Sequence, residues 1–322
     1  MTVRVELAGA DLTRVRFAVS PLYETAMAVA VLHEPGTHAV HLPWVSRCRP
    51  RLGAVEDLPL LAALLAGPIK LGFLMPEPRT RIPDFEAELA RVAATRTDHL
   101  LGQLDRLAAH QTPPLREVYE SPRAGLARIV TAFRQVHDLF VAPHWNRILA
   151  LLEADITHRA GQLADGGLEA VFTGLHPEIR WHDGQLLLWP NRRGRQPVTV
   201  RLNGHGQVLC PSVFTWPRAG VDTRPTGAGI IRYPARGIAT LWETGTPAPR
   251  TLAALLGRTR AALLLALAEP ATTTDLAARL GVTAGAVSQH LGVLRAAGLV
   301  TTRRHGRTVL HLRTERAIAL LN

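Results

Sequence analysis

The sequence is short of features on which several classes of protein depend. Only two cysteines, Cys48 and Cys210, occur in 322 residues, too few for a disulfide framework or a four-thiolate zinc site. No uninterrupted apolar run reaches the roughly 18 residues that a membrane span needs, and Met1–Leu7 lacks the apolar core of a signal peptide. We therefore expect a cytoplasmic protein with no membrane partner.

Recognisable catalytic motifs are also missing. The chain has no Gly-x-Ser-x-Gly elbow, no Walker phosphate loop and no Gly-x-Gly-x-x-Gly fingerprint after a strand. A nucleophile, a base and an oxyanion site are not found at recognisable spacing. We predict that the protein is not an enzyme and that it has neither catalytic residues nor a cofactor.

One short stretch resembles a metal site. His33, His38 and His41 lie close to Cys48, and imidazoles with a thiolate are ligands for zinc. However, Pro35–Gly36 interrupts any helix here, and the histidine spacing is one residue too long for His-Glu-x-x-His. The pattern therefore favours a loop with ordinary histidines, and we predict no metal site.

Positive charge is concentrated at the end of the chain. The formal net charge of the whole sequence is +11. Residues 250–322 carry ten arginines against three acidic residues, which leaves +7 on this stretch. Such an excess suits a partner rich in phosphates, because binding releases their counterions.

Two short helices joined by a glycine turn are predicted within this basic stretch. For the first helix, Thr272 is the expected N-cap, and Asp275 three residues later completes a capping box. Gly281 is the expected stop, since glycine readily adopts the left-handed conformation that follows a helix end.

The second helix is predicted from Ala284 to about Ala297, with Thr283 as its N-cap and Gly298 after its end. One apolar stripe is expected to face the core, formed by Val287, Leu291 and Leu294. The residues that lie largely off this stripe, free to face a partner, are Gly285, Ser288, Gln289, Gly292 and Arg295.

A basic hairpin follows the second helix. Leu299–Arg304 and Arg307–Arg313 have the composition of strands, and His305–Gly306 is suited to a two-residue turn. Three arginines beside the tip, Arg303, Arg304 and Arg307, are suited to contact with phosphates or a minor groove. The order of helices and hairpin is that of a winged helix-turn-helix.

These motifs resemble the ArsR/SmtB family of bacterial repressors, over roughly the last quarter of the chain. The segments that carry the resemblance are Leu256–Arg260, Thr274–Ala277, Val287–Leu291, Leu294–Val300 and Arg304–Arg307. The resemblance implies a dimeric DNA-binding repressor whose second helix enters the major groove. The chain departs from the metal-sensing members, because Thr273–Leu280 lacks their cysteine pair.

The partners expected on this basis are a double-stranded DNA operator, a second copy of the chain and a small-molecule effector. Ser288 and Gln289 would reach base edges, and Gln289 could pair with adenine through two hydrogen bonds. The full set of predicted DNA-binding residues is Thr283, Gly285, Ser288, Gln289, His290, Arg295, Arg303, Arg304, His305 and Arg307.

The stretch before this domain is predicted to be mainly helical as far as residue 165. Ser20 and Pro21 are typical of an N-cap and first helical position, for a helix ending near Leu32. Further amphipathic helices are predicted over Pro83–Ala109, Arg123–Val141 and Pro143–Leu163. Such a bundle can leave a cavity for a small ligand, with a plain packed core as the alternative.

Residues 166–245 are predicted to form a small antiparallel sheet. One hairpin pairs Ile179–His182 with a strand beginning at Gln185, and a second pairs Val198–Leu202 with Gln207–Cys210. Thr251–Ala268 is then expected to be one apolar helix. The expected fold class is α+β, with a mainly helical region (1–165), a small antiparallel β region (166–245) and a C-terminal winged helix-turn-helix (246–322).

Two other functions remain open from the sequence. The basic domain could bind DNA without sequence preference, through charge alone, as an architectural protein does. Alternatively, an enzyme domain could be joined to a DNA-binding tail, although the chain lacks recognisable catalytic motifs.

Overall fold

The computed structural model describes residues 3–65, 70–110, 112–188, 198–222, 227–242, 250–305 and 308–321. The chain folds into two compact units, Met1–Trp242 and Glu243–Asn322. We call them the N-terminal unit and the C-terminal unit. Within the described ranges, no helix is both long and apolar enough to cross a membrane.

The N-terminal unit begins with strands and short helices and then becomes helical. Its first elements are β1 (Val3–Glu6), α1 (Gly9–Leu12), β2 (Arg16–Phe17), α2 (Pro21–His33), α3 (Leu42–Cys48), α4 (Leu58–Leu65), α5 (Phe85–Ala93) and α6 (Thr97–Leu104). Its later elements are α7 (Pro113–Glu120), α8 (Pro122–Val136), α9 (Trp145–Thr173), β3 (Ile179–His182), β4 (Gln185–Leu188), β5 (Val198–Arg201), β6 (Gln207–Ser212), β7 (Gly220–Asp222) and β8 (Gly229–Pro234).

Helix α2 is the centre of the helical core. As predicted, Ser20 is its N-cap, with Oγ accepting from the Tyr23 backbone N–H, and Pro21 is its first residue. Nearly every residue of α2 is buried, because α4, α5 and α8 pack around it. This helix is therefore buried on all sides and mainly apolar, with Glu24 and Thr25 as its buried polar residues.

One long helix predicted here is wrong. The expected Pro83–Ala109 helix is broken into α5 and α6, because Arg96 has an extended backbone, with a ψ of 146°, and acts as the N-cap residue of α6. Asp84 caps α5 through a bond from the Ala87 N–H. The break places the α5–α6 turn beside the start of α8.

Two four-stranded sheets complete the N-terminal unit, in the strand orders β3-β4-β1-β5 and β2-β6-β8-β7. The first predicted hairpin is confirmed: β3 and β4 are antiparallel around Asp183–Gly184. The second is wrong, since β5 pairs with β1 and β6 pairs with β8, in different sheets and in both cases parallel. The sheets are therefore mixed rather than purely antiparallel.

The C-terminal unit consists of α10 (Arg250–Leu256), α11 (Arg258–Ala266), α12 (Thr273–Leu280), α13 (Ala284–Ala296), β9 (Val300–His305), β10 (Thr308–Arg313) and α14 (Glu315–Leu321). The predicted Thr251–Ala268 helix is interrupted, because Gly257 has a φ of +83°. Helices followed by an antiparallel β9–β10 pair form the expected winged helix-turn-helix, which confirms the α+β class.

Candidate nucleic-acid interface

Helix α12 has the predicted caps. The Thr272 Oγ1 accepts from the Asp275 N–H at 3.1 Å, and Asp275 Oδ2 accepts from the Thr272 N–H at 3.1 Å. Gly281 ends the helix with a φ of +64°. These reciprocal bonds satisfy backbone groups that the helix end leaves unpaired, so the turn leading to α13 has a defined geometry.

Helix α13 is fixed by caps at both ends and by a buried stripe. The Thr283 Oγ1 accepts from the Ala286 N–H at 3.3 Å. Gly298 follows the helix with a φ of +69°, and the Leu299 N–H bonds to the Leu294 carbonyl at 2.9 Å. The stripe against the core consists, as predicted, of Val287, Leu291 and Leu294.

The opposite side of α13 is exposed. Gly285, Ser288 and Gln289 are exposed, Gly292 is half-buried, and together they form one row because they lie three or four residues apart. We call these four residues the α13 row. Arg295 continues this side of the helix and is also exposed, whereas the predicted contact residue His290 is half-buried between the row and the core.

The two glycines of the α13 row are not packed against any described part of the chain. A Cβ atom at Gly285 or Gly292 would have no neighbour within 4 Å among the described residues. Glycine inside a helix nevertheless costs about 1 kcal/mol relative to alanine. An exposed helix surface that lacks side chains in spite of this loss of stability is typical of a place where another backbone approaches closely.

The wing places Arg303 and Arg304, the two arginines of β9, on different faces. Arg304 pairs with Val309 and Arg303 with Leu310 across the strands. Adjacent side chains in a strand point to opposite faces, so exposed Arg303 and Arg304 lie on different faces of the wing. Two positions of the wing turn, Gly306 and the predicted site residue Arg307, lie outside the described residues. His305 is described only as the last backbone position of β9.

The wing is attached to the helices by hydrogen bonds that the sequence did not reveal. His311 is buried, its Nε2 lies 3.0 Å from the Thr273 Oγ1, and its backbone pairs with Ala271. Burial lowers the pKa of His311, and Arg295 lowers it further. The Arg313 guanidinium donates to the Leu264 and Leu265 carbonyls at the end of α11. Helix α13 and the wing are therefore held on one rigid frame.

The N-terminal unit has an open groove between the α5–α6 turn and the start of α8. Its volume is about 900 Å³, within the range of small-molecule sites. Its lining includes the apolar Leu100 and Leu126 and the basic Arg123. Arg96 also lines the groove and donates twice to Asp98, at 3.0 and 2.9 Å. The lining is therefore mixed, with apolar side chains, the Arg96–Asp98 ion pair and Arg123.

Two of the three histidines that resembled a metal site, His38 and His41, are engaged in hydrogen bonds. His38 Nδ1 lies 2.7 Å from the Trp216 carbonyl. Buried His41 accepts from the Trp242 indole N–H at 2.8 Å, with its Nε2 facing the Val213 carbonyl at 3.0 Å. Burial lowers the pKa of His41 to about 4. Among the described residues, no three His, Cys, Asp or Glu side chains converge in a way that would bind a metal ion.

Comparison with known proteins gives two matches and two negative results. A helix-turn-helix domain model matches residues 245–303. The model of a family of unknown function, DUF5937, matches residues 1–111 and 86–239. No curated protein and no solved structure matches the chain. The chain therefore belongs to the DUF5937 family, and the winged helix-turn-helix that follows the family region marks it as a DNA-binding transcription regulator.

Proposed function

We propose that the protein is a homodimeric repressor of the ArsR type, whose α13 lies in the major groove of its operator. The observation that carries this proposal is the α13 row, an exposed and partly bare surface on a helix fixed at both ends. Ser288 and Gln289 contact base edges, and Thr283 and His290 contact phosphates or bases. The arginines and the wing, Arg295, Arg303, Arg304, His305 and Arg307, contact phosphates or the minor groove.

The operator is read by two copies of the chain. Exposed apolar side chains occur on helices of the C-terminal unit, with Leu255 68% and Ile318 48% exposed. A symmetric contact through such residues would bury them and place two α13 helices on two half-sites. Sedimentation velocity tests this: a dimer at micromolar concentration supports the proposal, and a monomer that binds one half-site contradicts it.

A small molecule bound in the groove beside α8 modulates operator affinity. Repression then depends on the effector through the difference between its affinities for free and DNA-bound protein. Because this coupling is reciprocal, the operator must change effector affinity by the same factor. Titrations in both directions check the equality, and unequal factors would contradict this arrangement.

Replacing Gln289 by alanine is expected to lower operator affinity by about 1–3 kcal/mol and to blur the preference at one base pair, because a bidentate base contact is lost. The measurement is competition binding with operators varied at each position. Arg304→Ala is the comparison, since loss of a phosphate contact weakens all sequences alike and flattens the salt dependence. An unchanged base preference in Gln289→Ala would show that Gln289 does not read the sequence.

Replacing Gly292 by alanine is expected to stabilise the C-terminal unit by about 1 kcal/mol while weakening operator binding. The added methyl group stabilises the helix. However, it lies in the α13 row, where it would separate the helix from the base edges in the DNA major groove. Urea unfolding and operator affinity are measured together. Gly102→Ala is the matched control, because Gly102 is an exposed helical glycine of α6 with equally open surroundings. Unchanged operator affinity in Gly292→Ala would place DNA elsewhere.

A further inference from the structure

A group of basic side chains lies on the N-terminal unit, far in sequence from the helix-turn-helix. Arg47 on α3 and Arg49 and Arg51 in the 3-10 segment Arg49–Ala54 are exposed. Arg47 and Arg147 both lower the pKa of His144, after the larger effect of its burial, so both guanidinium groups lie near this imidazole. We call these five residues the Arg47 patch.

Three arginines of the Arg47 patch, Arg47, Arg49 and Arg51, are exposed. The segment that holds them, residues 35–55, contains no aspartate or glutamate, although Glu34 and Glu56 flank it. In the part of the chain that the structure describes, Arg47, Arg49 and Arg51 form no ion pair. Several other exposed arginines of this unit do form one, as in the pairs Arg81–Glu153, Arg96–Asp98, Arg134–Glu86 and Arg201–Glu6.

Two members of the Arg47 patch, His144 and Arg147, lie beside the last described residues of the N-terminal unit. Trp242 stacks on Trp44 of α3 with ring centroids 5.7 Å apart, and the His144 ring meets it edge-on at 5.4 Å. Arg147 donates to the Thr240 carbonyl at 2.8 Å. This edge of the patch thus lies beside Trp242, the last described residue before the C-terminal unit.

The connecting chain is short. The eight residues from 243 to 250 span at most about 28 Å when fully extended, a length that corresponds to about eight base pairs at roughly 3.4 Å each. Because the two units belong to one chain, DNA bound by the C-terminal unit is presented to the N-terminal unit at a high effective concentration.

We propose that the Arg47 patch is a second DNA-binding surface, which contacts the phosphates of DNA flanking the operator without reading its sequence. This inference rests on the proposed function, because the operator must first be bound through α13. It assigns part of the DUF5937 region a direct role in DNA binding, in addition to any role in sensing.

The test uses two duplexes, one limited to the operator and one extended by about 15 base pairs on each side. The variant Arg47→Gln, Arg49→Gln, Arg51→Gln removes three exposed charges from the full-length protein. We expect it to bind the short duplex like the wild type but to lose most of the extra affinity for the long duplex. The slope of log affinity against log salt on the long duplex should fall by about 2–3, close to 0.9 per lost phosphate contact.

The control variant removes the same charge elsewhere, through Arg4→Gln, Arg79→Gln and Arg116→Gln, all exposed. If the control variant lost as much affinity for the long duplex, the effect would be due to net charge and the proposal would be overturned. Equal affinity of the wild type for the two duplexes would also overturn it. Failure of the wild type to prefer the short operator over a shuffled duplex would instead refute the proposed function, and the flanking contact with it.

Discussion

Replacing Leu291 by alanine is expected to abolish operator binding while leaving the N-terminal unit folded. Leu291 is 1% exposed and packs in a core that includes Leu263, Leu276, Val287 and Leu294. Removing a buried leucine side chain costs about 2–5 kcal/mol, a large part of the stability of a domain this small. Without the core, α13 loses the support that orients its exposed row.

Tryptophan fluorescence separates the two units in this experiment. All six tryptophans precede residue 243, so their fluorescence follows only the N-terminal unit, whereas far-ultraviolet circular dichroism follows both. Leu291→Ala should shift part of the dichroism transition to lower urea and leave the fluorescence transition in place. Leu291→Met conserves volume and should cost less than about 1.5 kcal/mol. A parallel shift of both signals would show that the units do not unfold independently.

Replacing Glu88 by glutamine is expected to remove a pH-dependent destabilisation of the N-terminal unit. The buried Glu88 Oε2 accepts from the Ser20 Oγ at 2.9 Å and the Leu22 N–H at 3.1 Å. Its Oε1 is buried without a hydrogen-bond partner among the described residues. Burial, the largest effect, raises the pKa of Glu88 from 4.5 to about 7.

The sign of the effect follows from the direction of this shift. Between pH 4.5 and about 7 the folded state binds more protons at Glu88 than the unfolded state does, so stability falls as the pH rises. The loss is complete above about pH 7 and amounts to about 3 kcal/mol. Glutamine does not ionise, so the variant does not undergo this loss. Its stability relative to the wild type should therefore rise by about this amount as the pH is raised from 5 to 8.

Urea unfolding followed by tryptophan fluorescence at these two pH values checks the expectation. The contribution of Glu24, whose pKa burial also raises to about 7, is present in both proteins and cancels in the difference. The control is Glu86→Gln on the same helix, because Arg134 lowers the pKa of exposed Glu86. Its stability relative to the wild type should be the same at the two pH values, because a carboxyl whose pKa is lowered from 4.5 is already ionised at both. A pH-independent difference for Glu88→Gln would show that the carboxylate is not destabilised by burial.

The helix ends could be predicted from the sequence because their causes are local. The Thr272–Asp275 box, the Thr283 cap and the stops at Gly281 and Gly298 all depend on residues within five positions of one another. The α13 row was predictable for the same reason, since helical periodicity fixes which residues share a side.

The sheet pairing and the buried polar groups depend on residues far apart in sequence. The chain does turn at the predicted Asn203–Gly204 region, with φ values of 51° and 82°. However, buried Asp11 accepts from the Gly206 N–H at 3.0 Å, across 195 positions. This contact belongs to a packing in which β6 joins β8 instead of returning along β5. Likewise, Glu24 accepts from the Val213 N–H, 189 positions away, and no local pattern reveals such a pair.

The central claim, that α13 reads a DNA sequence, is tested most directly by competition fluorescence anisotropy with the purified full-length protein. The labelled duplex is the motif enriched from a random library, and the competitor is the same duplex shuffled, over a series of salt concentrations. We predict a preference of about a thousandfold or more, in the range of specific regulators, which shrinks in Gln289→Ala. Equal affinity for motif and shuffled duplex, falling steeply with salt, would contradict the claim and identify a protein that binds DNA by charge alone.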